Sequence, residues 1–109
     1  MVDRVWSART TGDGAVAYLA YFQRVVMPEL AAVPGYRGVR LLQRELGGNA
    51  IEIEVVTTWE SLAVIRGFAG DDVERAVVHD QAAALFTDYD RTVRHFEVVL
   101  ARQRRATLP

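Results

Sequence analysis

The chain has 109 residues, half of them hydrophobic and a quarter charged, with a net charge of −1. That is enough for one domain with a real core and not for two, and the balance argues against a general nucleic-acid or membrane-surface binder. There is no cysteine, and all thirteen basic residues are arginine, which excludes thiol nucleophiles, disulfides, iron–sulfur clusters and lysine Schiff bases.

Val2–Thr10 alternates loosely around Val5 and Trp6 and reads as a first strand. Thr11-Gly12-Asp13-Gly14 breaks it, and Asp13 can cap a helix. Ala15–Ala32 is that helix, with Ala15, Leu19, Phe22, Val26 and Leu30 as one apolar stripe and Tyr18, Tyr21 and Val25 as its neighbour. Pro28 should bend or tighten its last turns, and Pro34-Gly35 ends it. Tyr36–Glu45 is a second strand. Gly47-Gly48-Asn49 forms a hairpin turn, because these residues accept positive φ. Ile51–Trp59 is the third strand. Ile51, Ile53 and Val55 make its apolar face, Trp59 shares their parity, and Glu52 and Glu54 lie opposite.

Ser61–Phe68 is a second helix, capped by Ser61 and stopped by Gly70. Asp71 with Glu74 resembles a capping box and predicts a further helical segment running to about Phe86. Thr87–Asp90 is a polar turn, and Thr92–Leu100 is the fourth strand. The order is βαββαβ, which predicts an α+β, ferredoxin-like domain: a four-stranded antiparallel sheet with helices on one face. It should occupy residues 1–101, followed by a basic tail over 102–109 with Arg102, Arg104 and Arg105. The bare sheet face, carrying Val56 and Thr58, needs a cover, and a second copy of the chain in a homodimer supplies one. No apolar run approaches the roughly 20 residues of a membrane span, and MVDRVWSART lacks the apolar core of a signal peptide. No membrane partner is expected, and a cytoplasmic location is.

Three segments, VVTTWES, IRGFAGDDVERAVV and DRTVRHFEVV, carry a resemblance to the antibiotic biosynthesis monooxygenase family of the dimeric α/β-barrel superfamily. It spans nearly the whole chain, Val5 to Val99. It implies a pocket in each subunit between the sheet and its own helices. The oxygenases of this group bind a phenolic or quinone-like aromatic there and need no metal or flavin. The deprotonated substrate itself passes an electron to oxygen. The protein must then offer a shaped apolar cavity, a proton acceptor and donors for an oxyanion. Haem degraders of the same superfamily use an Asn on strand one, a Trp on the helix after strand three and a His about three turns later. By position these fall at Trp6 or Ser7, at Phe68 and near His79. Only one of the three matches, so the resemblance implies neither haem nor any other cofactor or metal.

His79 is the candidate catalytic residue. On the expected third helical segment it shares a face with Ala76, Ala83 and Phe86, where two alanines leave room around an imidazole that titrates in the useful range. A structural histidine bonded to a carbonyl or to Asp80 would fit the same pattern. Trp6, Tyr18, Phe22, Trp59, Phe68 and Phe86, with Tyr21, are aromatics able to line a substrate cavity or to fill a core. Arg40, in mid-strand, is either an inward oxyanion clamp or a sheet-face charge beside Glu52 and Glu54. The reading that unites these residues is a cofactor-independent monooxygenase-like enzyme for an aromatic, polyketide-type small molecule. The alternatives are a polyketide cyclase or isomerase using His79 as acid and base, or a non-catalytic dimeric binding module with a filled interior.

Overall fold

A computed structural model describes residues 1–104; Arg105 and the rest of the expected tail lie outside the described residues. β1 (Val2–Thr11) pairs antiparallel with β3 (Ala50–Trp59) over ten consecutive positions, from Val2 opposite Trp59 to Thr11 opposite Ala50. β2 (Tyr36–Gly47) flanks β3 on its other side. The hairpin between them turns at Gly47, Gly48 and Asn49, all with positive φ as expected. Directly opposite residues point to the same side of a sheet. Arg4, Trp6, Ala8 and Thr10 therefore share the helix-covered face with Thr57, Val55, Ile53 and Ile51.

The fourth strand is broken. β4 (Asp88–Tyr89) pairs with Arg9 and Ala8, and β5 (Arg94–Glu97) pairs with Val5 back to Val2, both on the free edge of β1. The sheet order, β2-β3-β1 followed by this interrupted edge, is that of a ferredoxin-like α+β fold with helices on one face.

The first helical region departs from a single helix. α1 (Gly12–Tyr21) begins at Thr11, not Asp13: the Thr11 hydroxyl accepts from the Gly14 N–H at 3.1 Å. A wide π-helical turn occupies Phe22–Val26, closed by the Met27 N–H on the Phe22 carbonyl, and α2 (Met27–Ala31) follows. Pro28 has no N–H for the Arg24 carbonyl four residues back, and its ring crowds that carbonyl. The turn ahead of it opens where tightening was expected. Burial follows Ala15, Tyr18, Tyr21, Phe22 and Leu30, while Leu19 of the expected stripe is exposed.

α3 (Leu62–Ala69) matches its sequence reading, with Ser61 Oγ accepting from the Val64 N–H and Gly70 ending it at φ 87°. The helix expected over residues 71–86 does not form. Its backbone is engaged by other segments: Ala76 N–H donates to Arg91 O, Val93 N–H donates to Glu74 O, and the carbonyls of Val73 and Arg75 accept from the Arg4 guanidinium. Only α4 (Asp80–Ala83) is helical. The same exchange pulls Thr92 and Val93 away from β1, which breaks the fourth strand.

Trp59 and Ile65 are fully buried, with Ile53 and Leu30 close behind. The Trp59 ring packs edge-on to Tyr36 and against Phe68, and its N–H donates to Thr57 Oγ1 at 2.8 Å. Among the described residues, no helix is long and apolar enough to cross a membrane.

Gly35 sits at φ 88° with the side chain of Val64 inside the space a Cβ would take; Gly47 has a similar φ of 94° but open surroundings. Both alanine variants incur the left-handed strain of roughly 1–2 kcal/mol. Gly35→Ala should lose more stability than Gly47→Ala in urea unfolding, and Val64→Ala should restore part of the difference.

Candidate ligand cavity

The helix face of β1 and β3, the α1–π–α2 region, α3 and the 77–82 segment enclose a cavity. Its volume is about 80 Å³. Its wall is largely aromatic and aliphatic: Trp6, Tyr18, Tyr21, Phe22 and Phe68, with Val26, Leu30, Val55, Val77 and Val78. The residues with polar groups that line it are Arg4, Thr57, Glu29, His79, Tyr18 and Tyr21.

Trp6 is anchored by its N–H, which donates to the Asp90 carbonyl at 2.6 Å. Phe86 braces Trp6 and Tyr18 from behind, with ring centroids 5.4 and 4.7 Å away. Burial pushes the Tyr18 phenol well above its ordinary pKa, with a smaller contribution from Tyr21, so it remains a neutral hydroxyl at physiological pH.

Six of the nine residues singled out in the sequence border the cavity: His79, Trp6, Tyr18, Tyr21, Phe22 and Phe68. Three do not. Trp59 lies buried beneath α3, where its packing leaves no face to a ligand. Phe86 stands one layer behind. Arg40 lies opposite Val56 on the other face of the sheet, because strand parity places Val39 and Leu41, and not Arg40, toward the helices.

His79 arrives at the cavity by a route the sequence did not suggest. It is not within a helix but caps α4 in an extended conformation, and the Ala76–His79–Ala83–Phe86 face does not exist. Its side chain is half exposed at the mouth, with Nε2 3.0 Å from Glu29 Oε2. Glu29 reaches that position from α2, just after the π turn.

Arg4 was missed. It is 5% exposed and lines the cavity. Nη1 donates to Val73 O at 2.5 Å and lies 3.0 Å from His95 Nε2, Nη2 donates to Arg75 O at 2.8 Å, and the guanidinium stands 5.9 Å from the Phe68 ring centre. Because guanidinium only donates, His95 Nε2 is the acceptor and its proton sits on Nδ1. The signal available was parity: two residues before Trp6 on an alternating strand, Arg4 must face the same way.

No protein-family model and no curated protein matches the chain. Solved structures do. The haem degrader MhuD of Mycobacterium tuberculosis, with two haems in its active site, is 23% identical with a TM-score of 0.61, covering 94% of this chain and all of that one. The monooxygenase from the ActVA-Orf6 gene of Streptomyces coelicolor, in complex with nanaomycin D, is 16% identical with a TM-score of 0.58, covering 99% and 91%. A Bacillus cereus protein described as an antibiotic biosynthesis monooxygenase is 9% identical with a TM-score of 0.61, covering 97% and 98%. The chain has the fold of these three proteins. At such identities the likeness carries the fold and not the chemistry.

The residues at the positions of the haem degraders' ligands do not suit haem: Phe68 presents a bare ring, and His79 Nε2 is engaged by Glu29.

Burial and then the charge of Arg4 lower the His95 pKa, against a smaller upward pull from Glu74. Below the ordinary histidine pKa, about 6.5, the unfolded chain takes up a proton before the folded one does. The stabilisation is therefore complete above that pH and lost as pH falls through the folded pKa. Proton NMR should show His95 titrating below the ordinary histidine range, and His95→Gln should flatten the acid limb of the stability profile.

Proposed function

We propose that the protein is a cofactor-independent monooxygenase-like enzyme acting on an aromatic small molecule of the polyketide type. The observation that carries this reading is the pairing of an aromatic-walled cavity with a histidine–carboxylate dyad at its mouth. Stacking surfaces such as Trp6, Tyr18, Phe22 and Phe68 suit a flat ring system. With the Nε2–H of His79 donating to Glu29, the Nδ1 lone pair is the basic site, and the carboxylate stabilises the imidazolium formed when it accepts a phenolic proton. The resulting phenolate is electron-rich enough to reduce dioxygen. One oxygen atom enters the ring as a quinone carbonyl and the other leaves as water.

The same dyad could drive a cyclisation or isomerisation, and oxygen uptake separates the readings. With 1-naphthol as probe, the oxygenase consumes one dioxygen per 1,4-naphthoquinone formed, without added cofactor. His79→Ala should lower that rate by roughly 10²–10⁴-fold at unchanged melting temperature, since the side chain is half exposed. Binding without uptake would favour a cyclase, an isomerase or a binding module.

The functional unit is a homodimer in this reading. The sheet face opposite the helices carries the exposed Leu42 beside Val5 and Val56, which are already buried within one chain, among charges that include the Arg44–Glu52 pair at 2.6 Å, and no helix covers it. Phe96, half exposed, and Arg94 extend that face along β5. Burying it in a symmetric pair should remove at least roughly 1,200 Å² in total. Light scattering should give twice the chain mass at micromolar concentration, and a monomer there would refute the dimer.

A further inference from the structure

Arg4 poses a question that the fold alone does not answer. A buried guanidinium is normally balanced by a carboxylate, because an unpaired charge away from water is costly. Among the described residues Arg4 has no such partner: its three contacts are two backbone carbonyls and the neutral imidazole of His95. The ion pairs of the chain lie elsewhere, on Arg9, Arg37, Arg44 and His79. Carbonyls and an imidazole orient the guanidinium without neutralising it. Burial with no acid beside it draws its pKa down to about 10, which still leaves it fully charged at neutral pH.

The hydrogen-bond inventory points the same way. Guanidinium has five N–H donors. Both hydrogens of Nη1 and one of Nη2 are engaged, while the Nε–H and the second Nη2 hydrogen have no acceptor among the described residues. No buried side-chain polar atom lacks a partner among the described residues, so the Nε–H is not sealed in the core but meets open space. Arg4 also borders the cavity. The fork formed by Nε and Nη2 is the edge that binds a planar oxyanion in two parallel hydrogen bonds.

We propose that Arg4 is the anion-binding residue of the cavity, and that its ligand is a flat aromatic bearing an acidic oxygen — a phenolate, enolate or carboxylate. His95 and the Val73 and Arg75 carbonyls are positioning groups: they hold the guanidinium plane so that its free edge meets the ligand. This deepens the reading given under Proposed function and rests on the same cavity, but it concerns binding and not oxygen chemistry. It adds a preference: the ligand enters as, or becomes, an anion at the buried end, while His79 and Glu29 remain at the mouth.

The test compares two probes of nearly equal shape by calorimetry at neutral pH. One is 2-hydroxy-1,4-naphthoquinone, ionised at that pH; the other is uncharged 1,4-naphthoquinone. Wild-type protein should bind the anion at least about tenfold more tightly, the scale of a charge-assisted hydrogen bond. Arg4→Gln should erase that preference and leave the neutral probe within about threefold. Arg4→Lys, a charge without the fork, should fall between. His95→Gln should weaken the anion selectively, because the guanidinium loses one of its supports. If Arg4→Gln does not fold, the wild-type comparison and His95→Gln still decide the matter. Equal affinity of wild-type protein for both probes, no binding of either, or equal weakening of both by a folded Arg4→Gln would overturn the proposal. Failure of the oxygenase reading would show instead as selective anion binding without oxygen uptake.

Discussion

The ten-position ladder between β1 and β3 is the constraint on which the rest of the molecule depends. β1 is also paired along its other edge, by β4 and β5, so its register is held from both sides. A slip by one residue would exchange Arg4, Trp6, Ala8 and Thr10 for Asp3, Val5, Ser7 and Arg9 on the helix face. That would bury two charges of opposite sign and remove the cavity's indole. Parity on this one strand therefore sets both the core and the wall of the ligand space. Ala8, fully buried against the helices, allows the close approach that larger side chains on that face would prevent.

The parts of the fold governed by alternation and turn chemistry were legible in the sequence: β2, β3, the Gly47–Asn49 turn, and α3 with its Ser61 cap and Gly70 stop. The segment from Asp71 to Val93 was not. Its Asp71 and Glu74 obey the local rule for a helix start, and its alanines favour helix, yet its backbone groups bond to β1's arginine and to residues 91–93 instead. Local propensity is a small term, and several long-range hydrogen bonds together with the burial of Val93 and the partial burial of Val73 and Val78 outweigh it. The β-branched residues at 73, 77 and 78 were the contrary signal, since such side chains suit extended backbone better than helix.

The candidate site was legible in about the same proportion and for the same reason. Trp6, Tyr18, Phe22 and Phe68 follow from strand and helix periodicity, so their meeting could be read in one dimension. Arg40 stayed open in the sequence between an inward clamp and a sheet-face charge, and its register with β3, with the bulge between Tyr36 and Gly38, places it on the outer face. Glu29 could not be anticipated at all. Its approach to His79 depends on the π turn before Pro28, where one extra residue in the turn rotates everything that follows relative to a regular helix.

The irregular elements and the polar groups of the cavity coincide. The π turn carries Phe22 and Val26 into the cavity wall and precedes Glu29; the failed helix delivers His79 at its mouth; the break in the fourth strand frees the segment whose carbonyls hold Arg4. Each irregularity gives up regular hydrogen bonds in its own element and replaces them with bonds across the structure, which suits a site that must hold side chains from distant parts of the chain at fixed positions. The regular sheet supplies rigidity, and the departures from regularity supply the polar groups. A ligand held between a buried cation and a basic dyad at the mouth would have its acidic oxygen and its proton-losing carbon or hydroxyl set apart along the cavity. In the proposed reading the cation would lower the energy of the anion that the dyad creates. That division of labour would need both irregular regions intact, since Glu29, His79 and the carbonyls that hold Arg4 come from segments that break the pattern, while the apolar lining comes largely from those that keep it.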